Sequence, residues 1–254
     1  MAQKSTRAAF FDVDNTLVRG STLYFLGRGM YQRGYFTKAD ISRFVVANLR
    51  FRMTGMEKQE VIERFQKAAT DFVGGHQVSD ILKLGEEIYD EYVSPKLWER
   101  TCEIARDHLA KGESVWLVTA APQDMAEIIA NRLGFTGAIG SKVIIKDGIY
   151  SGELDGKILH GVEKASAIRA LAQEHGYDLN ECYSYSDSHN DLPLLTAVGY
   201  PSAINPDAIL RLKALAEGWP IHDFRRARFL NRLLGPAVSR LAAVAALLVP
   251  RKRR

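Results

Sequence analysis

Cysteine is nearly absent: only Cys102 and Cys182 occur among 254 residues, far apart and without CxxC or metal-ligand spacing. That excludes a disulfide scaffold and a thiolate zinc site, and a reduced, cytoplasmic protein is expected. No run of about 18 apolar residues occurs, so a conventional membrane span is not expected. Residues 1–7 are short and polar, and the apolar run after them meets Asp12 too early for the core of a signal peptide. Low-complexity tracts and internal repeats are missing as well. Acidic residues are scarce in one place. From Pro220 onward nine basic residues face the single acid Asp223, a local net charge of +8, which leaves −4 on the rest of a chain whose total is +4. The basicity belongs to the tail, so a nucleic-acid-binding body is not expected.

Short apolar, β-rich runs are present at 8–13, 114–119, 142–145 and 182–186. Helical periodicity covers 95–111, 122–133, 162–175 and 206–217 between them. Strands alternating with helices predict an α/β chain built on a doubly wound, mostly parallel sheet. Ligands of such sheets sit beyond the carboxyl ends of the strands. Asp12, Thr119 and Asp187 all fall there. Asp147-Gly148 predicts a hairpin turn peripheral to the chemistry.

About 100 residues separate Asp12 from Thr119, where a βαβ crossover takes roughly 30. The intervening stretch has no convincing strand and is helical in pattern over 56–73 and 78–92, which predicts a helical lid spliced in after the first strand. The first half of that lid is rich in aromatic and basic residues, among them Tyr24, Phe25, Arg28 and Phe44, read mainly as lid core and solvated charge. The expected division is a core of residues 1–19 and 95–224, an all-helical cap of 20–94, and a basic amphipathic tail of 225–254. For the tail, two placements are open: an anionic membrane surface, or the chain's own core or a second subunit.

Four groups carry chemistry. Asp12-Val13-Asp14-Asn15-Thr16 places two carboxylates one residue apart at a strand end, where mutual repulsion calls for a cation, a donor or a shared proton. Thr119 ends the second strand, Lys164 opens a helix, and Asp187-Ser188-His189-Asn190-Asp191 follows another strand. Singly, each has a plainer explanation as a turn, a helix cap or a solvated residue. Their shared place at strand ends and helix starts gathers them into one cleft.

The order DxDxT, Thr, Lys, DxxxD resembles the haloacid dehalogenase superfamily of phosphohydrolases, whose core is Rossmann-like. The residues from Tyr185 to Leu195, and from Val198-Gly199 through Asn205-Pro206-Asp207 to Gly218-Trp219-Pro220, look like its phosphoserine-phosphatase-like subfamily IB, with a type 1 helical cap where the insertion lies. The resemblance implies a phosphomonoesterase acting on a small or headgroup-sized organic phosphate. Asp12 would be the nucleophile and Asp14 the acid and base. Mg2+ would be held by Asp12, the Asp14 carbonyl and Asp187, with Thr119, Ala120, Lys164 and Asn190 at the phosphate and Thr16 and Asp191 in support. Such phosphoserine phosphatases carry an acid nine residues after the nucleophile, where this chain has Ser21, so phosphoserine itself is not the expected substrate. Arg19 and Ser21 are the candidate specificity residues, and His189 is read as a loop residue. A phosphotransferase or mutase, and a regulator that binds a phosphorylated ligand without turnover, are the alternatives.

Overall fold

The computed structural model describes residues 6–35 and 73–225. The expected helix over 56–73, apart from Val73, and the tail beyond residue 225 lie outside the described residues.

Strand β1 (Ala8–Phe11) is wholly buried, as a central strand covered on both faces must be. It pairs in parallel with β2 (Ser114–Pro122) on one side and β6 (Tyr183–Ser186) on the other. Beyond them lie β3 (Gly137–Ser141), β7 (Tyr200–Ile204) and β8 (Ile221–His222), giving one six-stranded parallel sheet in the order β3-β2-β1-β6-β7-β8. The chain builds outward from β1 through β2 to β3, then returns to the other flank of β1 as β6. The crevice of such a sheet opens where the winding direction reverses, here between the carboxyl ends of β1 and β6.

Helices α3 (Glu99–Ala110), α4 (Gln123–Leu133), α5 (Val162–His175), α6 (Leu192–Leu195) and α7 (Ala208–Glu217) cover the sheet. Phe11 stacks on Tyr185 of the neighbouring strand, with ring centroids 4.3 Å apart and planes at 13°. Two clusters of buried apolar side chains line the faces of β1, one containing Phe11 and Leu117, the other Phe10 and Val118. Burying an aromatic of this size is worth about 2–3 kcal/mol.

Between β1 and β2 the described part of the insertion contains α1 (Thr22–Gln32) and α2 (Val78–Ile88). A π-helical turn, Tyr89–Val93, and a 3₁₀ turn, Ser94–Lys96, lead from α2 back toward α3. The two chain passages into and out of the insertion are tied together: Arg19 N donates to Lys96 O and Trp98 N to Leu17 O, both at 2.8 Å. A separate hairpin, β4 (Val143–Lys146) and β5 (Ile149–Leu154), turns at Asp147 and Gly148, whose φ angles of 51° and 76° suit a tight hairpin. That hairpin is bound to the insertion: Gly75 N donates to Tyr150 O and Val78 N to Gly148 O. No helix among the described residues is long and apolar enough to cross a membrane.

Several boundaries differ from sequence expectation. β1 stops at Phe11 rather than residue 13, because the chain leaves the ladder to place Asp12. β2 continues to Pro122 with a register shift after Val118, so Thr119 lies inside the strand. Helix α3 begins at Glu99, since Pro95 belongs to the short 3₁₀ turn before it. β3 and β7 had no alternating pattern to reveal them: Gly137 and Gly140 interrupt the edge strand β3, and Pro201 lies in β7, which has partners on both edges.

Candidate active site

Asp12 follows β1 directly and is 6% exposed. Its backbone N–H donates to Tyr185 O at 2.9 Å, which keeps the first residue beyond the ladder registered against β6. One carboxylate oxygen accepts from Lys164 Nζ at 2.6 Å and the other from Thr16 Oγ1 at 3.0 Å. Thr16 is buried, and its carbonyl accepts from Thr101 Oγ1 of α3.

Lys164 lies in the first turn of α5 and is 3% exposed. Its ammonium also donates to Asp191 Oδ2 at 2.8 Å, which accepts from Ser186 Oγ at 2.8 Å. Burial opposes the lysine charge, but Asp12 and Asp191 more than reverse that effect and hold its pKa above the ordinary value. For Asp12, burial dominates over the pull of Lys164, and with Asp191 and Asp14 nearby its pKa is pushed up to about 7.

Asp187 stands one residue past β6. Burial first, then the charges of Asp12 and Asp191, push its carboxyl to about 8, with Lys164 pulling weakly the other way. Three carboxylates therefore share one ammonium, and that ammonium is hydrogen-bonded to the other two. Such an uncompensated, oxygen-only set suits a hard divalent cation. Among the described residues no group of three His, Cys, Asp or Glu side chains is arranged to hold a metal by side chains alone.

Asp14 is turned toward the insertion. Its Oδ1 accepts from Thr22 N at 2.9 Å and Thr22 Oγ1 at 2.7 Å, so it satisfies the open N-terminus of α1 while keeping Oδ2 for other use. Thr22 was not singled out from sequence. The available signal was a hydroxyl residue opening a helix eight positions after Asp14.

Other expected residues are placed less directly. The Thr119 hydroxyl is buried and accepts from Ala121 N at 3.1 Å, and Ala120 O accepts from Ser141 Oγ. Asn190 is exposed and its side chain donates to Ser188 Oγ rather than into the cleft. Arg19 donates to Pro95 O at 3.0 Å, and its guanidinium lies 5.5 Å from the centre of the Trp98 ring. It braces the passage out of the insertion. Ser21 precedes α1 and makes no side-chain capping bond. His189 is joined to Asp207 through both its backbone N–H, at 2.8 Å, and Nδ1, at 2.9 Å.

The family model described as haloacid dehalogenase-like hydrolase matches residues 9–196. A phosphoserine phosphatase of Mycobacterium tuberculosis is 47% identical over 247 residues, which span 94% of this chain and 80% of that protein. The crystal structure of a Bordetella pertussis Tohama I protein of unknown function aligns with a TM-score of 0.75 at 27% identity, over 85% of this chain and 98% of that one. A substrate-bound phosphoserine phosphatase aligns with a TM-score of 0.59 at 19% identity, over 91% of this chain and 99% of that one, a likeness of fold.

Proposed function

The chain belongs to the haloacid dehalogenase-like hydrolases as a phosphoric monoester hydrolase related to phosphoserine phosphatases, and from that premise we propose that it hydrolyses a small or headgroup-sized organic phosphate through an aspartyl-phosphate formed on Asp12, with Mg2+ as cofactor. The observation that carries this reading is the charge arrangement: buried Lys164 bonded to Asp12 and Asp191, with Asp187 beside them and, among the described residues, no ammonium bonded to it.

An Asp12 oxygen forms a bond to phosphorus as the ester oxygen leaves, and Asp14 gives that oxygen its proton. Water then attacks the phosphorus, Asp14 takes the proton of the water, and the bond to Asp12 breaks. Splitting the displacement in two requires an acid that becomes a base, and Asp14 is suited because Thr22 holds only one of its oxygens. Lys164 offsets charge on the phosphoryl oxygens while keeping Asp12 oriented. Asp12, Asp187 and the Asp14 carbonyl would hold Mg2+, which when bound supplies positive charge for the phosphoryl oxygens. Thr119 and Ala120, from the strand beside β1, are assigned to the phosphate together with Asn190, whose side chain donates to Ser188 Oγ. Residues 20–94 are assigned in this reading to the cap, of which 36–72 lie outside the described residues, and α1 brings Thr22 to Asp14 from its described part.

Ser21 supplies no carboxylate for a substrate ammonium, so an organic phosphate without an obligatory amino group fits better than phosphoserine. The test is inorganic phosphate release from a panel of phosphoserine, phosphoethanolamine, sugar phosphates and lysophospholipid phosphates, with Mg2+ and with a chelator. Release is expected with Mg2+ alone, and Asp12→Asn is expected to lower it by at least about 10³-fold. An Asp12→Asn chain that retains turnover removes the aspartyl-phosphate route. Transfer to a second sugar hydroxyl in place of release would identify a mutase.

A further inference from the structure

The segment Asn205-Pro206-Asp207, at the end of β7, takes no part in the chemistry above, yet it is bonded to both carboxylate loops. Asn205 is 3% exposed and holds a φ of 48°. Its Nδ2 donates to Asn15 O at 3.3 Å, inside the loop that carries Asp12 and Asp14, while its Oδ1 accepts from Phe224 N at 2.8 Å. Two residues later Asp207 N donates to Asp187 O at 2.8 Å. The Asp207 carboxylate divides its oxygens: Oδ2 takes both His189 bonds, and Oδ1 accepts from Leu210 N at 2.8 Å as the N-terminal cap of α7. Each side chain thus has one atom on a site loop and one on its own scaffold.

That division matters because the ladder between β1 and β6 ends at Phe11 and Tyr185. Past it, the loops carry carboxylates that repel each other. β7 is ladder-bonded on both sides, to β6 and β8, and is a firm base from which to hold both loops. We propose that Asn205 and Asp207 are positioning residues that set the separation of the Asp12 loop from the Asp187 loop, and thereby the affinity of the site for a divalent cation. The proposal rests on the hydrolase reading. Neither residue touches a reacting atom. Partners of this kind, acting one shell out from a metal, change affinity or activity by about 10–100-fold when removed.

The test uses the full chain and MgCl2 titrated calorimetrically, beside steady-state phosphate release and thermal unfolding. Asp207→Ser keeps an oxygen able to cap α7 but is too short to reach His189 as well; Asp207→Ala loses both functions. Asn205→Gly accepts the positive φ and removes both side-chain bonds. The expected result is an Asp207→Ser chain that melts close to wild type yet binds Mg2+ about tenfold more weakly, with half-saturation of activity shifted by the same factor and substrate KM at saturating Mg2+ unchanged. Asn205→Gly is expected to shift Mg2+ affinity in the same direction. Wild-type Mg2+ affinity in both Asp207→Ser and Asn205→Gly overturns the proposal and leaves Asp207 as a helix cap. Failure of the hydrolase reading shows separately, as no phosphate release from the wild-type chain, because the positioning role is judged on the ratio of Mg2+ affinities.

Discussion

Lys164 illustrates how single residues are constrained. A buried ammonium is costly unless paired, and here it has two carboxylates within 2.8 Å. Asp12 and Asp187, pushed up to about 7 and 8, are the opposite case: their charged forms are disfavoured until a cation arrives. Mg2+ must then displace protons, so its affinity is expected to fall as pH drops from 8 to 6, and calorimetry in buffers of different ionisation enthalpy should show proton release. Affinity independent of pH over that range contradicts the arrangement. Thr22 makes a second residue-scale case. Thr22→Val removes the hydroxyl bond to Asp14 but keeps the backbone bond and the shape, and a charge-assisted hydrogen bond of about 1.5–3 kcal/mol sets an expected fall in kcat of roughly tenfold or more, with substrate KM little altered. Unchanged kcat means Asp14 needs no such hold. Asp12, Asp14 and Asp187 were legible in the sequence as acids at the ends of apolar runs, and Lys164 and Asp191 through the resemblance in motif order. Thr22 and Asp207 were not, because a threonine or aspartate at a helix start is ordinary until its second partner is seen.

At the scale of elements, α2 to α5 and α7 were legible, whereas α1, α6 and some strands were not. α5 runs from Val162 to His175 as its periodicity predicts, and α4 stops at Gly134, whose φ of 70° lets the chain leave the helix. β7 escaped because Pro201 and a mixed burial pattern hide it, yet its position is tightly determined. Gly199, just before it, has no room: a Cβ there would lie 1.8 Å from Asn180 O, a backbone atom that cannot rotate away. Gly199→Ala is therefore expected to cost about 3 kcal/mol, read as a lower midpoint in urea with an unchanged m value. A midpoint equal to wild type would mean that the turn at Leu179–Glu181 yields easily. The element also matters to the site, since β7 ends at the Asn205 and Asp207 positions.

For the whole molecule, the decisive feature is the return of the chain across β1. β2 and β3 lie on one flank, β6 to β8 on the other, so a cation held between Asp12 and Asp187, as proposed, would bridge the two halves of the sheet. Such a ligand binds only the folded chain, and at 100 times its dissociation constant adds about 2.7 kcal/mol of stability. Mg2+ is accordingly expected to raise the melting temperature of the wild-type chain, and to raise that of Asp187→Asn much less. Equal shifts in both would place the cation elsewhere.

By itself the sequence determined the α/β class, the insertion after the first strand and the identity of the charged groups, because hydrophobic periodicity and acids at strand ends are local properties that each short segment carries. Only the tertiary structure decided which atoms of those groups bond to one another. Asp12 and Lys164 are 152 residues apart, and Asn205 reaches the Asn15 carbonyl from 190 residues away. Contacts of that range depend on strand order and on where the chain reverses, and no local pattern encodes either.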